Sequence, residues 1–196
     1  MPRGTIFALC RGPMAEDRLR GVLENAGPGV GDAAPDFELP ALIAGVRQPL
    51  RLSAYRGRKS VALAFYPFNW QEASAAQLVS YQAQRPRVLA SNAEIVTITV
   101  DSIMNTTAWE REIGPFDFPM CSDFWPHGAV CERYGVLRKA DPKSREKSGA
   151  NSSEAVGASD RAVVIVDRRG SIVFRKTYAS DQVAPVEEVL VMLEKI

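Results

Sequence analysis

The run Val61-Ala-Leu-Ala-Phe-Tyr66 is apolar at every position, as a strand covered on both faces requires, and it stops at Pro67. A second unbroken run rich in β-branched residues, Ile95-Val-Thr-Ile-Thr-Val100, predicts another buried strand. Between them, residues 72–85 are rich in Ala, Gln, Leu and Ser with no Gly or Pro until Pro86, which predicts a helix starting just beyond a Pro-x-x-x turn. Asp101-Ser102 supplies an N-cap, residues 103–113 fit a second helix, and Gly114-Pro115 stops it. A short extended piece, Phe118-Pro-Met-Cys121, leads through Ser122 to Gly128 into a helix over 129–134. Ala162 to Val166, the turn Asp167-Arg-Arg-Gly170 and Ser171 to Arg175 predict a hairpin. The last segment places Val186, Val189, Leu190, Leu193 and Ile196 on one face, with Pro185 early and Glu187-Glu188 in the first turn. It predicts an amphipathic helix packed on the sheet. Upstream, extended segments are expected near 36–39 and 50–52, the second ending in the turn-like Ser53 to Gly57.

Two stretches break this pattern. Residues 1–29 carry Pro2, Gly4, Gly12, Pro13, Gly27, Pro28 and Gly29 around one short amphipathic stretch, Ala15 to Asn25, and read as a flexible extension with one helix, ahead of a domain over 30–196. The Lys-, Ser-, Gly- and Asp-rich stretch over 138–160 is too long for an ordinary connection and is expected to be a long mobile loop.

Composition narrows the functional classes. A chain of 196 residues has room for one well-cored domain and too little for two. Hydrophobic residues make up 46% and charged residues 24%, so the chain is folded rather than disordered. The 24 Lys and Arg against 23 Asp and Glu give a net charge of +1, without the broad basic surface that a general nucleic-acid binder needs. The apolar runs fall far short of the roughly 18–20 residues that span a bilayer, so no transmembrane helix is expected. Arg11 cuts the N-terminal run Ile6 to Cys10 shorter than a secretion-signal core, which points to the cytoplasm. The three cysteines, Cys10, Cys121 and Cys131, cannot all pair within one chain, and none forms C-x-x-C. With His127 as the single histidine, no metal site and no cofactor are expected, and the thiols read first as buried or idle.

The order strand, Pro-turn, helix, strand, helix, strand, hairpin, helix is that of a thioredoxin-like α/β fold, a central mixed β-sheet flanked by helices. Particular words narrow it: Val30-Gly-Asp-Ala-Ala-Pro-Asp-Phe37, Leu52-Ser-Ala-Tyr-Arg-Gly57, Phe65-Tyr-Pro67, Ser122-Asp-Phe-Trp-Pro-His-Gly-Ala-Val130, Tyr134-Gly-Val136, and Arg161 ahead of Val163-Val-Ile-Val-Asp167. The chain resembles the peroxiredoxin (alkyl hydroperoxide reductase C/thiol-specific antioxidant) family, and within it the one-cysteine AhpE-like branch. In that family the turn reads Pro-x-x-x-Thr-x-x-Cys, and the Cys thiolate attacks a peroxide to become a sulfenic acid. In the same register this chain has Pro67, then Gln71 in place of Thr and Ser74 in place of the peroxidatic Cys; Gln77 replaces the acidic residue usual three positions later.

A serine cannot take over the cysteine's step. A thiol starts near pKa 8.5 and a helix N-terminus with an Arg beside it populates the thiolate, whereas a hydroxyl starts several units higher. The helix end contributes roughly 0.3–2 kcal/mol, too little to close that gap when one pKa unit is about 1.36 kcal/mol. The alternative reading of Ser74 is a small polar residue satisfying a backbone donor in the first helical turn. Arg161 is either the family's anion-steering arginine or a strand-start residue in ion-pair contact with an acid. Pro67 either shields the site or merely ends the strand, and Gln71 either hydrogen-bonds a ligand or fills the space left by Thr. Trp70, Trp125 and His127 are candidate binding residues, Trp70 and Trp125 as aromatic lining; a Ser74–His127 hydrolase lacks the glycines of a nucleophile elbow. Cys121 and Cys131 are possible redox thiols, and Cys131 sits where a helix start can depress its pKa.

Three readings follow. The first is a peroxiredoxin-like protein without a peroxidatic cysteine, whose pocket around Pro67, Gln71, Ser74, Gln77 and Arg161 binds or transforms another small molecule, anionic or strongly hydrogen-bonding. The second is a thiol-dependent peroxidase that uses Cys121 or Cys131, or a Cys-to-Ser trapped form of one. The third is a non-catalytic interaction protein. The resemblance and the aromatic Phe124-Trp125-Pro126 segment also imply a homodimer.

Overall fold

Strand β3 (Ser60–Phe65) is buried at every position and alternates its contacts, as a central strand must. Val61, Leu63 and Phe65 join one apolar cluster, and Ala62, Ala64 and the following Tyr66 join another on the opposite face. In the computed structural model, which describes residues 27–138 and 157–196, the other strands are β1 (Glu38–Ile43), β2 (Val46–Arg51), β4 (Ala93–Thr99), β5 (Met120–Ser122), β6 (Arg161–Val166) and β7 (Ile172–Tyr178). They form one sheet in the order β2-β1-β5-β4-β3-β6-β7, with β3, β4 and β5 parallel and the remaining pairings antiparallel. Helices α1 (Glu72–Ala90), α2 (Ile103–Ile113) and α4 (Val186–Leu193) contribute Leu78, Tyr81, Val88, Trp109, Val189, Leu190 and Leu193 to one cluster. The short α3 (Ala129–Arg133) covers the other face through Val130 and Cys131, with Tyr134 next to it against Phe37 and Phe65. Among the described residues no helix is long and apolar enough to cross a membrane.

Several boundaries differ from expectation for identifiable reasons. Helix α1 does not end before Pro86 but continues to Ala90. Its last turn is held by fully buried Val88 and by Arg87, which pairs with Glu187 and Glu194 of the α4 region. Packing therefore overrides the proline's lost N–H. The segments expected near 36–39 and 50–52 are longer strands joined by a tight hairpin, with Ala44 and Gly45 at φ 48° and 76°. Pro40 faces Pro49 across this hairpin. Counted from the closing pair Ile43 and Val46, that rung is a non-hydrogen-bonded one, so neither missing N–H is needed between the strands.

Of the stretch over 138–160, only Arg138 and residues 157–160 are described, and they bond one another. Arg138 N–H donates to Ala158 O at 2.8 Å, Gly157 N–H donates to Arg138 O at 3.0 Å, and Arg138 pairs with Asp160 at 2.7 Å. Pro28 O, at the end of the expected extension, accepts from Arg175 Nη1 at 2.7 Å. The helix expected within 15–25, Cys10 and residues 139–156 lie outside the described residues.

Candidate functional site

The turn after β3 is built by hydrogen bonds that the hydrophobic pattern does not reveal. Buried Tyr66 donates its hydroxyl to Asn69 Oδ1 at 2.9 Å. Asn69, itself buried, donates its backbone N–H to Asp101 Oδ2 at 2.6 Å and its side-chain amide to Thr106 Oγ1 at 3.1 Å. Asp101 also accepts from Asn105 at 3.0 Å, and Asn105 in turn accepts from the Trp70 indole. This network ties the turn to the junction of β4 and α2. It also holds Trp70 at φ 62°, a left-handed conformation rare for a bulky residue. Asn69, Asp101 and Asn105 thus position the site, although in the sequence they read as an ordinary turn residue, a cap partner and a helix residue.

Beyond this turn α1 begins, and Ser74, Gln77 and Tyr81 follow at spacings of three and four along one helical face. All three are buried at 0–1% exposure and face Arg161, the first residue of β6. Arg161 is 0% exposed. Its Nη1 donates to Gln77 Oε1 at 2.6 Å and its Nη2 to Ser74 Oγ at 3.2 Å. Gln77 passes the chain on, its Nε2 donating to the Tyr81 hydroxyl at 3.1 Å. The remaining partner is the Ser180 carbonyl, which accepts from Nε at 3.3 Å and from Nη2 at 3.0 Å. No acid among the described residues forms an ion pair with Arg161, so the ion-pair role expected of a strand-start arginine is not realised. Burial pulls the guanidinium below its ordinary pKa, and an arginine nevertheless keeps its charge in a protein. Among the described residues, the result is one buried positive charge hydrogen-bonded by two neutral side chains and one carbonyl.

The other candidates fall elsewhere. Pro67 is buried, and its carbonyl accepts weakly from Thr99 Oγ1 at 3.5 Å. Gln71 is exposed at the N-cap of α1, and its side chain makes no capping bond. Trp70 is 57% and Trp125 81% exposed, and the only described contact of Trp70's indole N–H is Asn105. His127 is exposed, bonds the Gly157 carbonyl at 2.9 Å and stacks edge-on against Phe124, with no hydrogen bond to Ser74.

The thiols are sequestered. Burial, reinforced by Asp123, pushes both Cys121 and Cys131 well above the ordinary thiol pKa. A depressed pKa expected for Cys131 at a helix start is not found. Asp123 caps that start, accepting from the Val130 and Cys131 N–H groups at 2.9 and 2.8 Å. It therefore sets a carboxylate beside the thiol and opposes the helix dipole. Burial also pushes the Asp123 carboxyl up, against those backbone bonds.

Sheet order, flanking helices and the position of Arg161 across from the start of α1 define the thioredoxin-like fold of peroxiredoxins. The reduced 2-Cys peroxiredoxin of Plasmodium vivax superposes with a TM-score of 0.73 at 22% identity, over 85% of this chain and 81% of that one. Mycobacterium tuberculosis AhpC superposes at 0.70 and 22% identity, over 86% and 92%. The chain belongs to the AhpC/TSA family, whose match spans residues 30–175. It is 32% identical over 145 residues to alkyl hydroperoxide reductase E of Mycobacterium tuberculosis, covering 74% of this chain and 82% of that protein. It is 26% identical over 147 residues to peroxiredoxin-2 of Mus musculus, covering 72% and 65%.

Proposed function

We propose that this chain is a peroxiredoxin-family protein without a peroxidatic thiol, and that its site around Pro67, Gln71, Ser74, Gln77 and Arg161 binds or transforms a small molecule other than a peroxide. One observation carries this reading: the group that meets the Arg161 guanidinium from the first turn of α1 is the hydroxyl of Ser74, not a thiol. A hydroxyl there forms no useful alkoxide at neutral pH and has no counterpart of the sulfenic-acid step. Cys121 and Cys131 supply no substitute, because burial holds both as thiols rather than thiolates.

A second reading, thiol peroxidase chemistry, is favoured by the likeness to alkyl hydroperoxide reductase E and would draw on Cys121 or Cys131. A peroxide-consumption assay with an added thiol reductant separates the two. The wild type is expected to show negligible turnover. Turnover that disappears in Cys121→Ser or Cys131→Ser would establish the second reading. A rate comparable with ordinary peroxiredoxins that survives removal of all three cysteines would overturn the chemistry argued for Ser74. The chain acts as a homodimer on this reading, supported by Phe124 and Trp125 at 50% and 81% exposure. A monomer in light scattering at micromolar concentration would count against it.

A further inference from the structure

Arg161 is a buried cation whose hydrogen-bond partners among the described residues are all neutral, and those partners are not equivalent. Ser74 and Gln77 are fixed on α1. Ser180 belongs to the exposed segment 179–183 between β7 and α4. The edge of a guanidinium formed by Nε and one Nη presents two parallel N–H groups, the arrangement that takes both oxygens of a carboxylate. On Arg161 a single carbonyl oxygen, that of Ser180, straddles this edge at 3.3 and 3.0 Å. Both contacts are longer than the roughly 2.7–2.9 Å of a charge-assisted bond. One neutral atom thus occupies a two-pronged cationic fork, and that atom sits on the one partner segment open to solvent.

We propose that the segment 179–183 is a lid over a monoanion site, and that the carboxylate of a small organic acid displaces the Ser180 carbonyl and binds the Nε–Nη2 edge of Arg161 in bidentate fashion. This deepens the small-molecule reading above and rests on it. The Ser74 hydroxyl already accepts from Nη2, which leaves its own proton to donate to a ligand oxygen. Charge selects the class: the described groups that hydrogen-bond the guanidinium are all neutral, and the more distant charges that act on it, Asp181 and Arg138, are of opposite sign, so a monoanion balances it. A phosphate dianion would leave an excess negative charge facing Asp181, whose carboxylate acts on Arg161 from the same segment. No covalent step is involved; one carbonyl is exchanged for one carboxylate.

Acetate and its neutral isostere acetamide are the probes, titrated into the full chain while the Arg161 Nε–H signal and the amides of 179–183 are followed by NMR. Acetate is expected to give saturable shifts at Arg161 together with faster amide exchange across the lid. Acetamide should bind at least about tenfold more weakly, since it supplies neither the counter-charge nor the second acceptor oxygen that the two-pronged fork takes. Asp181→Asn removes an exposed like charge and should tighten acetate by about twofold. Arg161→Lys, which lacks the planar fork, should lose saturable binding; if it fails to fold, the wild-type comparison and Asp181→Asn decide. Equal responses to acetate and acetamide refute the anion lid while leaving a neutral small-molecule site standing. Acetate binding that leaves the amides of 179–183 unmoved, or that weakens in Asp181→Asn, refutes the displacement of Ser180. Failure of the underlying reading shows separately, as peroxide turnover.

Discussion

Replacing Gln77 by Glu places a carboxylate against the buried Arg161 charge without changing the shape of the site. Gln77 Oε1 already accepts from Nη1 at 2.6 Å, and its Nε2 donates to Tyr81 at 3.1 Å. In Gln77→Glu one oxygen keeps the guanidinium bond and the other accepts from the Tyr81 hydroxyl, which turns from acceptor to donor. No buried polar atom is left over. Two unit charges about 4 Å apart attract by about 4 kcal/mol at an effective dielectric constant of 20. Taking a carboxylate out of water opposes this by several kcal/mol, but the guanidinium is desolvated already in the wild type, which leaves a net gain of about 1 kcal/mol. For a chain of this length that gain raises Tm by about 2–4 °C.

The pH dependence fixes the sign. Arg161 lowers the folded-state pKa of the new carboxylate below its unfolded value of about 4.3. The added stability is therefore fully present above that value and is lost as pH falls through the folded pKa. Thermal unfolding followed by circular dichroism, wild type beside Gln77→Glu at pH 7 and pH 3, is the test. The expected outcome is a higher Tm for the variant at pH 7 and no advantage at pH 3. A variant that melts below the wild type at pH 7, or a difference independent of pH, would show that the Arg161 charge is already balanced. The same substitution should also abolish acetate binding, because the guanidinium then has its counter-charge within the protein.

Ser74→Cys should remain at least about a hundredfold below an ordinary family member in peroxide reduction, because one lost preorganised donor costs about 10²–10³ in rate and Gln71 replaces the family's Thr. Ser74→Cys with Gln71→Thr should recover markedly more; full activity from the single substitution would mark the wild type as a trapped peroxidase. Pro86→Ala restores an N–H inside α1 and removes a ring clash, and should stabilise the chain by about 1–3 kcal/mol in urea unfolding. In Cys10→Ser protein, Cys121 and Cys131 should react with an aromatic disulfide reagent only as fast as the native state opens, so their labelling should accelerate on adding urea; rapid labelling in native buffer would contradict their burial.

The readable parts of the fold are those where one signal dominates. Helix α2 spans the expected 103–113, because Ser102 caps it, accepting from Asn105 N–H at 3.3 Å, and Gly114 ends it. The apolar run of β3 and the β-branched run of β4 read correctly because both of their faces are covered. The β1–β2 hairpin was obscured by two prolines that demote a strand when viewed singly; only their pairing opposite one another on a silent rung makes them harmless. Pro86 misled for the complementary reason, since the contacts of Arg87 and Val88 that carry the helix past it are with distant residues. In the site, Ser74, Gln77 and Arg161 were reachable through the family's register, and Tyr81 through helical spacing. Ser180 was not, because its contribution is a backbone carbonyl that any residue type supplies. Trp125 and His127 were drawn in by residue type alone, and the fold leaves both exposed on the loop ahead of α3.

What joins these observations is the charge around Arg161. In the family's pattern a thiolate and an acid stand at the positions of Ser74 and Gln77, and both are negative; in this chain both are neutral hydrogen-bonding groups. An arginine buried among neutral partners bears a desolvation cost that an apolar or amide side chain of similar size would not. Losing the thiolate alone would leave the acid to balance the guanidinium and a closed, neutral core. With both neutral, the proposed reading gives the guanidinium room for a monoanion where the structure has a carbonyl on a solvent-facing segment. Gln77→Glu and acetate are thus two ways of supplying the same missing charge, one from within the chain and one from solution. Under the proposed reading they must compete, and a Gln77→Glu protein that still binds acetate as the wild type does would separate the ligand from Arg161 altogether.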